Sequence, residues 1–364
     1  MAKEKLTELF ERWESLQPLS ETQQSSLSRR FTVEYNYNSN HIEGNTLTYG
    51  QTELLLMFGA VSGEGHLQDF TEMKASQVGL EMMSQAVKEG NMPMTQHFIR
   101  TLHKTLLRED YTVYRQLPGG VTTSYVVHAG CYKTRPNSVI TPTGERFEYA
   151  SPEETPALMT DLVKWYNKAE AEGKLTTVEL AALFHYRYIR IHPFEDGNGR
   201  IARLLMNFIL LRHGYPMIVI RSKKKKAYLD ALGKADKNVG TIPSDGANAT
   251  LEQAQDFVNY ITKQVEQTLE DDMNFLQEKE DAVWLFDGDL VTFKNETTIK
   301  LIKLLIGNPS ITIPEMAKEL SINASAIQKQ LKDLQDKGYM ERSGANKKAQ
   351  RKILLVSTTP KGGR

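Results

Sequence analysis

The chain has 364 residues, which suits about two domains of ordinary size that bury their own cores. Lysine plus arginine and aspartate plus glutamate each number 45, so any preference for nucleic acid or membranes must come from a local patch. The single cysteine, Cys131, excludes an internal disulfide and a cysteine-rich metal site, and it favours a reducing compartment. Because no segment approaches the roughly 20 apolar residues that cross a bilayer, we expect a soluble, cytoplasmic protein without a membrane partner.

Most of the chain is predicted to be helical, because apolar residues recur at helical spacing over five segments. These segments are Thr71 to Lys88, Met94 to Leu107, Pro156 to Tyr166, Thr177 to Ile191 and Ile201 to Arg212. Strand signal is sparse before the last quarter of the chain. The best case is Tyr132 to Tyr149, where Thr141 to Gly144 supply turn residues between two short extended runs. We therefore expect a mainly α protein that carries one lone β-hairpin.

The composition changes in the acidic segment Glu266 to Glu296, which we interpret as a linker or bridging segment. It would separate a first domain, residues 1–265, from a second domain, residues 297–364. The second domain is predicted to contain, in order, a helix at Thr297 to Leu305, a helix at Pro314 to Leu320, a helix that ends at Lys337 before Gly338, and strands at Tyr339 to Arg342 and Lys352 to Val356. This order is typical of a winged helix.

The segment from His192 to Arg200, HPFEDGNGR, combines features that point to chemistry. Pro193 disfavours a helical conformation at His192, so the histidine is predicted to lie at a helix end. There an imidazole can accept a proton near neutral pH. Gly197 and Gly199 open the next helix, whose free N–H groups and positive dipole favour a phosphate.

Charged residues of the same loop extend this prediction. Arg200 and Arg203 are three residues apart on a helix, so both can face the same anion. A carboxylate beside a phosphate repels it unless a divalent cation lies between them, so an acidic residue here predicts Mg²⁺. No Lys-Ser/Thr pair follows the glycines and no strand precedes them, which excludes a Walker A loop and a dinucleotide fingerprint. The combination favours reaction at the phosphorus of a nucleotide.

The segment resembles the motif of the Fic family, H-P-F-x-[D/E]-G-N-G-R, usually followed by a second arginine three residues on. Every defining position is filled, namely by His192, Pro193, Phe194, Asp196, Gly197, Asn198, Gly199, Arg200 and Arg203. The similarity to the family covers Phe31 to Ile261. It implies a helical fold and the transfer of AMP from ATP to a Ser, Thr or Tyr hydroxyl of a target protein, or of the enzyme itself.

The resemblance also implies residue roles. His192 would deprotonate the target hydroxyl, and Asp196 would hold Mg²⁺ on the α- and β-phosphates. Arg203 would reach the γ-phosphate, and the other nucleotide-binding residues would be Gly197, Asn198, Gly199, Arg200 and Tyr228. The hairpin would be the family's flap, which adds the target's backbone as a strand through Tyr132, Lys133, Val139 and Ile140. A surface hairpin without a target is the alternative.

An upstream segment carries Ser39 and Glu43 one helical turn apart, with Gly44 as a helix cap. Taken alone, the pattern also fits an exposed glutamate in a terminal turn. Together with the intact motif, it resembles the inhibitory helix of the Fic family. There the glutamate pairs with the second arginine and prevents productive ATP binding, so we predict a pair between Glu43 and Arg203.

The second domain is locally basic. Between Asn323 and Lys352, eight basic and three acidic residues give a balance of plus five. Such a helix and wing fit DNA phosphates, and the predicted contacts are Ser325, Gln328, Lys329, Lys347 and Lys348. A winged helix used for protein contacts or dimerisation is the alternative, and a homodimer stays open.

Two other functions compete with AMP transfer. One is removal of AMP from a modified protein, with Glu43 positioning the attacking water. The other is a transcriptional regulator whose Fic body only senses a nucleotide. The intact His192 favours an enzyme, because nucleotide binding alone needs no base.

Overall fold

The computed structural model describes residues 2–61, 63–90, 93–116, 122–140, 146–277, 283–287, 289–293, 295–343 and 350–357. The chain divides into two compact units. The first comprises Met1–Ser15 and Val33–Glu270, and the second comprises Leu16–Thr32 and Asp271–Arg364. Within the described residues, no helix combines the length and the apolar character needed to cross a membrane.

Helices dominate the chain up to residue 277, which confirms the mainly α prediction. They are α1 (Ala2–Glu14), α2 (Glu21–Ile42), α3 (Tyr49–Phe58), α4 (Leu67–Lys88), α5 (Gln96–Leu107), α6 (Thr155–Glu172), α7 (Thr177–Ile191), α8 (Asn198–Arg212), α9 (Lys225–Val239), α10 (Pro243–Ala247) and α11 (Gln255–Gln277). The five predicted helices correspond to α4 to α8, and α6 extends beyond its predicted end at Tyr166. Helices α7 and α8 are buried along most of their length, and α4 and α6 pack against them. They form the core that positions the loop between them.

Local sequence explains where α7 begins. Thr176 is its N-cap: the Thr176 hydroxyl accepts a hydrogen bond from the N–H of Glu179, and the Glu179 carboxylate accepts one from the N–H of Thr176. This capping box satisfies two N–H groups that have no partner inside the helix. The start of α7 is thereby fixed four turns before the loop.

Two antiparallel hairpins separate α5 from α6, whereas the sequence predicted a lone hairpin. The additional one pairs β1 (Tyr111–Gln116) with β2 (Thr122–Val127). The predicted one pairs β3 (Ser138–Ile140) with β4 (Arg146–Glu148), and its turn residues Thr141 to Gly144 lie outside the described residues. The missed strands are rich in Tyr, Thr and Val, which favour β-structure.

The second unit contains the winged helix that the sequence predicts. Its elements are β5 (Val283–Phe286), β6 (Asp289–Thr292), α12 (Glu296–Gly307), α13 (Ile313–Glu319), α14 (Ala324–Asp336), β7 (Met340–Ser343), β8 (Gln350–Ile353) and β9 (Val356–Ser357). The strands form one sheet of order β6-β5-β9 and one hairpin, β7-β8. Trp284 of β5 is 2% exposed and belongs to the same core as Leu301 and Leu331. The predicted linker therefore contains strands of this unit, and the boundaries at 265 and 296 stay predictions.

Candidate active site

The loop between α7 and α8 carries the predicted base. His192 is the C-cap of α7, with a φ of 53°, and its N–H donates to the carbonyl of Tyr188 at 2.9 Å. A left-handed residue at this place ends an α-helix, which confirms the predicted helix end. The imidazole stacks on the ring of Tyr149, with the centroids 3.9 Å apart. The side chain is thus held between the helix end and the residue that follows β4.

The electrostatic surroundings keep the imidazole neutral. Burial lowers the pKa of His192 to about 3, and the Lys133 ammonium adds to this lowering. Lys133 is itself fixed, because its Nζ donates to the carbonyls of Ile191 and His192 at 3.1 and 2.9 Å. Its burial lowers its own pKa to about 7. A neutral His192 at pH 7 can accept a proton.

The middle of the loop is fastened by Phe194 and Asn198. Phe194 is fully buried and stacks on His103, with the centroids 3.7 Å apart. The amide of Asn198 spans the turn: its Oδ1 accepts from the N–H of Phe194 at 3.0 Å, and its Nδ2 donates to the Phe194 carbonyl at 2.7 Å. Asn198 was expected to contact phosphate. Its side chain holds the loop together, because both ends of the amide are engaged within it, and its contact with a phosphate stays a prediction.

Asp196 is the carboxylate that faces solvent, with 48% of its side chain exposed. Its Oδ2 accepts from the hydroxyl of Tyr111 at 2.7 Å and lies 3.5 Å from Nη2 of Arg200. Burial favours the protonated form, but Arg200 and the Tyr111 hydroxyl outweigh it and hold the pKa of Asp196 below its usual range. The carboxylate is therefore ionised at neutral pH and can bind a cation.

The first turn of α8 presents an anion site. Gly197 is its N-cap with a φ of 75°, a backbone conformation that favours glycine. The first N–H groups of a helix have no partner within it and attract anions. Arg200 is 5% exposed, and its Nε has no hydrogen-bond partner among the described residues. An incoming phosphate would satisfy these donors.

The predicted ion pair with α2 is present. Nη2 of Arg203 lies 2.7 Å from Oε1 of Glu43 and donates to the carbonyl of Ser39 at 2.9 Å. Nε of Arg203 donates to the Ser39 hydroxyl at 3.0 Å. A Cβ on Gly199 would overlap Oε1 of Glu43. The Glu43 carboxylate thus lies against the first turn of α8, where only glycine leaves room for it.

Tyr228 lies in the layer behind these arginines. It is 3% exposed, and its hydroxyl is 3.0 Å from Nε2 of His185. Burial raises the pKa of Tyr228 to about 12, although the nearby Arg203 opposes this. Tyr228 is therefore a core residue beside Arg203, and its contact with a nucleotide stays a prediction.

Of the four predicted flap residues, two precede the β3–β4 hairpin and two lie on strand β3. The hydroxyl of Tyr132 donates to Oε1 of Gln96 at 2.9 Å, and Lys133 is 3% exposed. Both side chains are engaged within the domain and anchor the hairpin, and their contact with a target stays a prediction. Val139 and Ile140 lie on β3, whose backbone pairs with β4. Their contact with a target stays a prediction.

The site suits a magnesium ion that is bound largely by its substrate. No group of three or more His, Cys, Asp or Glu side chains that could hold a metal occurs in the described part of the chain. Mg²⁺ in phosphate-transfer sites needs only one or two carboxylates, because phosphates and water complete its shell. The ionised Asp196 beside the start of α8 fits that mode of binding.

Three further residues make contacts in or near the loop, and the sequence assigned a role to none of them. Oε1 of Glu195, at the variable motif position, accepts from the N–H and the hydroxyl of Thr134 at 3.2 and 3.0 Å. Tyr111 and His103 both contact Asp196. A polar residue on an apolar helix face is a usable signal for His103, but nothing local marks Tyr111 or Glu195.

In the winged helix, the predicted base-contacting residues share one face. Ser325, Gln328 and Lys329 are exposed on α14, opposite the buried Ile327 and Leu331. Lys347 and Lys348 lie outside the described residues. The three residues of α14 that are predicted to contact bases are therefore not needed for core packing.

Two families match the chain in different regions. The Fic/DOC family matches residues 93–210, which contain both hairpins and the loop. A family described as winged helix-turn-helix DNA-binding matches residues 294–339. The first match lies within the first unit, and the second lies within the winged helix of the second unit.

The chain is similar to a solved Fic domain-containing signaling protein from Bacteroides thetaiotaomicron, at 54% identity and a TM-score of 0.69, covering 74% of this chain and 96% of that one. It is 28% identical over 252 residues to protein adenylyltransferase fic-1 of Caenorhabditis briggsae, covering 68% of this chain and 43% of that protein. It is 30% identical over 235 residues to protein adenylyltransferase Fic of Drosophila grimshawi, covering 64% and 41%. The chain spans less than half the length of these two adenylyltransferases. With its complete motif, its loop geometry and its match over nearly all of the bacterial structure, the chain belongs to the Fic family.

Proposed function

We propose that this chain transfers AMP from ATP to a hydroxyl group of a protein, and that α2 holds this activity down. The observation that carries the proposal is the loop from His192 to Arg200. It brings together a neutral imidazole, an ionised carboxylate and Arg200, whose Nε has no hydrogen-bond partner among the described residues. The relatives that bear the name protein adenylyltransferase support it. The target protein would be met in the cytoplasm.

Each group has a separate task in this reaction. His192 accepts the proton of the attacking hydroxyl, and the target backbone is expected to pair with β3. Arg200 and the first N–H groups of α8 bind phosphate oxygens. Bound Mg²⁺, held by Asp196, would neutralise phosphate charge. Once released from Glu43, Arg203 binds the γ-phosphate and aligns the α-phosphorus with the incoming hydroxyl, so that the bond from the α-phosphorus to the bridging oxygen breaks and pyrophosphate leaves.

The proposed brake follows from the contacts of Arg203. Glu43 and Ser39 together occupy Nε and Nη2 of its guanidinium. The Glu43 carboxylate also brings negative charge to the start of α8, which a phosphate would otherwise occupy. ATP would then bind without the arginine that orients its γ-phosphate. Productive alignment would be lost even where nucleotide affinity remains.

The brake helix is fastened near Glu43. Oδ1 of Asn38 accepts from the N–H of Ser222 at 2.8 Å, and Nζ of Lys225 donates to the carbonyl of Ile42 at 2.6 Å. After α2, the N–H of Glu43 donates to the carbonyl of Asn40 at 3.0 Å. These hydrogen bonds within the chain keep Glu43 next to Arg203, so the brake needs no second protein to hold it in place.

The test is self-labelling with α-labelled ATP and Mg²⁺. Wild type should label weakly and Glu43→Gly strongly, because glycine removes both the competing carboxylate and its pairing with Arg203. Adding His192→Ala to Glu43→Gly should remove the label, since proton transfer contributes roughly 10²–10⁴-fold in rate. The double variant should bind ATP with an affinity within a few-fold of that of Glu43→Gly, because the residues expected to bind phosphate remain.

The outcomes separate the two parts of the proposal. Equal labelling of wild type and Glu43→Gly would contradict the brake and leave the catalytic loop intact. Undiminished labelling after His192→Ala would contradict the role of the base.

A further inference from the structure

The β1–β2 hairpin reaches into the candidate active site through its first residue. The hydroxyl of Tyr111 donates to Oδ2 of Asp196 at 2.7 Å. A phenol carries its proton at neutral pH, so the Tyr111 hydroxyl is the donor of this bond. The donor of this bond lies outside the motif, 85 residues before the acceptor Asp196 in the chain.

The base of this hairpin is closed, which fixes the position of Tyr111. The Asp110 carboxylate contacts Nδ1 of His128 at 2.6 Å and accepts from the N–H of Ala129 at 2.8 Å. Directly above this clamp, Tyr111 pairs with Val127, which is 1% exposed. Tyr111 therefore projects from a fastened base and not from the end of the hairpin.

The segment that leaves the hairpin holds the backbone of the same aspartate. The N–H of Gly130 donates to Nδ1 of His103 at 2.9 Å, so Nδ1 carries no proton. The proton of the neutral ring then lies on Nε2, which donates to the carbonyl of Asp196 at 3.0 Å. Thus the first residue of β1, Tyr111, holds the side chain of Asp196, and the segment after β2 holds the main chain of Asp196 through His103.

This arrangement orients the carboxylate. Tyr111 and Arg200 approach the same oxygen, Oδ2, of a side chain that is otherwise half exposed to solvent. Carboxylates that bind metals are usually hydrogen-bonded in this way, and loss of such a partner costs about 10–100-fold in metal affinity or activity. We propose that Tyr111 is a positioning residue that orients Asp196 toward the divalent cation of the nucleotide complex. The proposal rests on the proposed function.

The test measures the cation directly. The full chain with Glu43→Gly is mixed with α,β-methylene-ATP, which cannot transfer AMP, and bound Mn²⁺ is followed by electron paramagnetic resonance. Tyr111→Phe removes one hydroxyl and keeps the ring. Tyr114→Phe is the matched control, because Tyr114 is on the same strand, 72% exposed. We expect Tyr111→Phe to weaken Mn²⁺ binding by about 10–100-fold and Tyr114→Phe to leave it unchanged.

The affinity for the nucleotide in the absence of metal shows whether a substitution has damaged the nucleotide site itself. It should be the same in the Glu43→Gly parent and in its Tyr111→Phe and Tyr114→Phe derivatives. Mn²⁺ binding by Tyr111→Phe that is within twofold of the parent, or tighter, would overturn the proposal. An equal loss in Tyr114→Phe would also overturn it. If the Glu43→Gly parent binds no Mn²⁺, or binds it equally after Asp196→Ala, the metal site of the proposed function fails as well, which distinguishes the two failures.

Discussion

At the scale of single residues, the protonation state of His192 has a measurable consequence. A free imidazole loses its capacity to accept a proton below pH 6.5, whereas burial lowers the pKa of His192 to about 3. A lowered pKa means that the neutral, base-competent form persists as the pH falls. We therefore expect transfer by Glu43→Gly to be nearly constant between pH 8 and pH 6 at saturating Mg²⁺, measured as the initial rate of self-labelling. An acid limb with a midpoint near pH 6.5 would contradict this environment.

Asn198 illustrates how a motif residue can act through the loop that it stabilises. In Asn198→Ala the buried N–H of Phe194 loses its acceptor, which costs about 1–3 kcal/mol. Urea unfolding should show a loss of that size. As a control, Asn259→Ala changes an exposed asparagine of α11 and should stay within about 0.5 kcal/mol. Similar stabilities of Asn198→Ala and wild type would mean that the amide does not hold the loop.

The sequence predicted the residues whose type is required by chemistry and missed those that act through long-range contacts. His192, Asp196 and Arg203 were predicted as candidates because a base, a metal ligand and an anion-binding group need particular side chains. Tyr111 and Glu195 were missed because their partners lie far away in the chain or outside the motif pattern. The engagement of Asn198 and Lys133 within the domain depends on packing, which spacing alone does not reveal.

At the scale of elements, helix α2 and the residue after it contact Arg203 through two side chains, the Ser39 hydroxyl and the Glu43 carboxylate. We expect the hydroxyl to contribute less to the brake than the carboxylate does. Ser39→Ala removes the hydroxyl that accepts from Nε of Arg203 and keeps Glu43 in place. One hydrogen bond contributes about 1 kcal/mol net, which corresponds to roughly a fivefold change in an equilibrium. We expect Ser39→Ala to raise self-labelling by about that factor, and Glu43→Gly to raise it much more. Labelling by Ser39→Ala that equals wild type or reaches that of Glu43→Gly would contradict this ranking.

Helices and hairpins differed in how well the sequence predicted them. Helix α7 was predicted over its full range because apolar periodicity and Pro193 mark it locally. The β1–β2 hairpin was missed, although Pro118, Gly119 and Gly120 supply a turn signal between two runs rich in Tyr, Thr and Val. Six-residue strands carry too little periodicity to stand out beside long helices. Their existence depends on cross-strand pairs that form only in the folded chain.

At the scale of the whole molecule, charge is balanced overall and uneven locally. Residues 323–352 have a plus-five balance in the sequence, and at least one of their basic residues contributes little positive charge at the surface. Arg351 is 7% exposed, and its guanidinium donates to the carbonyl of Ile311. Lys329, Lys332 and Lys352 are exposed and remain available to a polyanion. Among the described residues of α14 and β8, these three exposed lysines carry positive charge that a polyanion can reach.

We expect these lysines to give weak binding of duplex DNA that depends strongly on salt. Each phosphate that a lysine neutralises contributes about 0.9 to the slope of log affinity against log salt. Lys329→Ala should therefore reduce that slope by about 1 and weaken binding similarly for unrelated sequences. Lys300→Ala is a matched control, because Lys300 is an exposed lysine of α12 that lies 4.0 Å from Glu296. Fluorescence anisotropy with the full chain, from low to physiological salt, measures both slopes. Absence of binding at low salt, or equal effects of the two substitutions, would favour protein contacts for the winged helix.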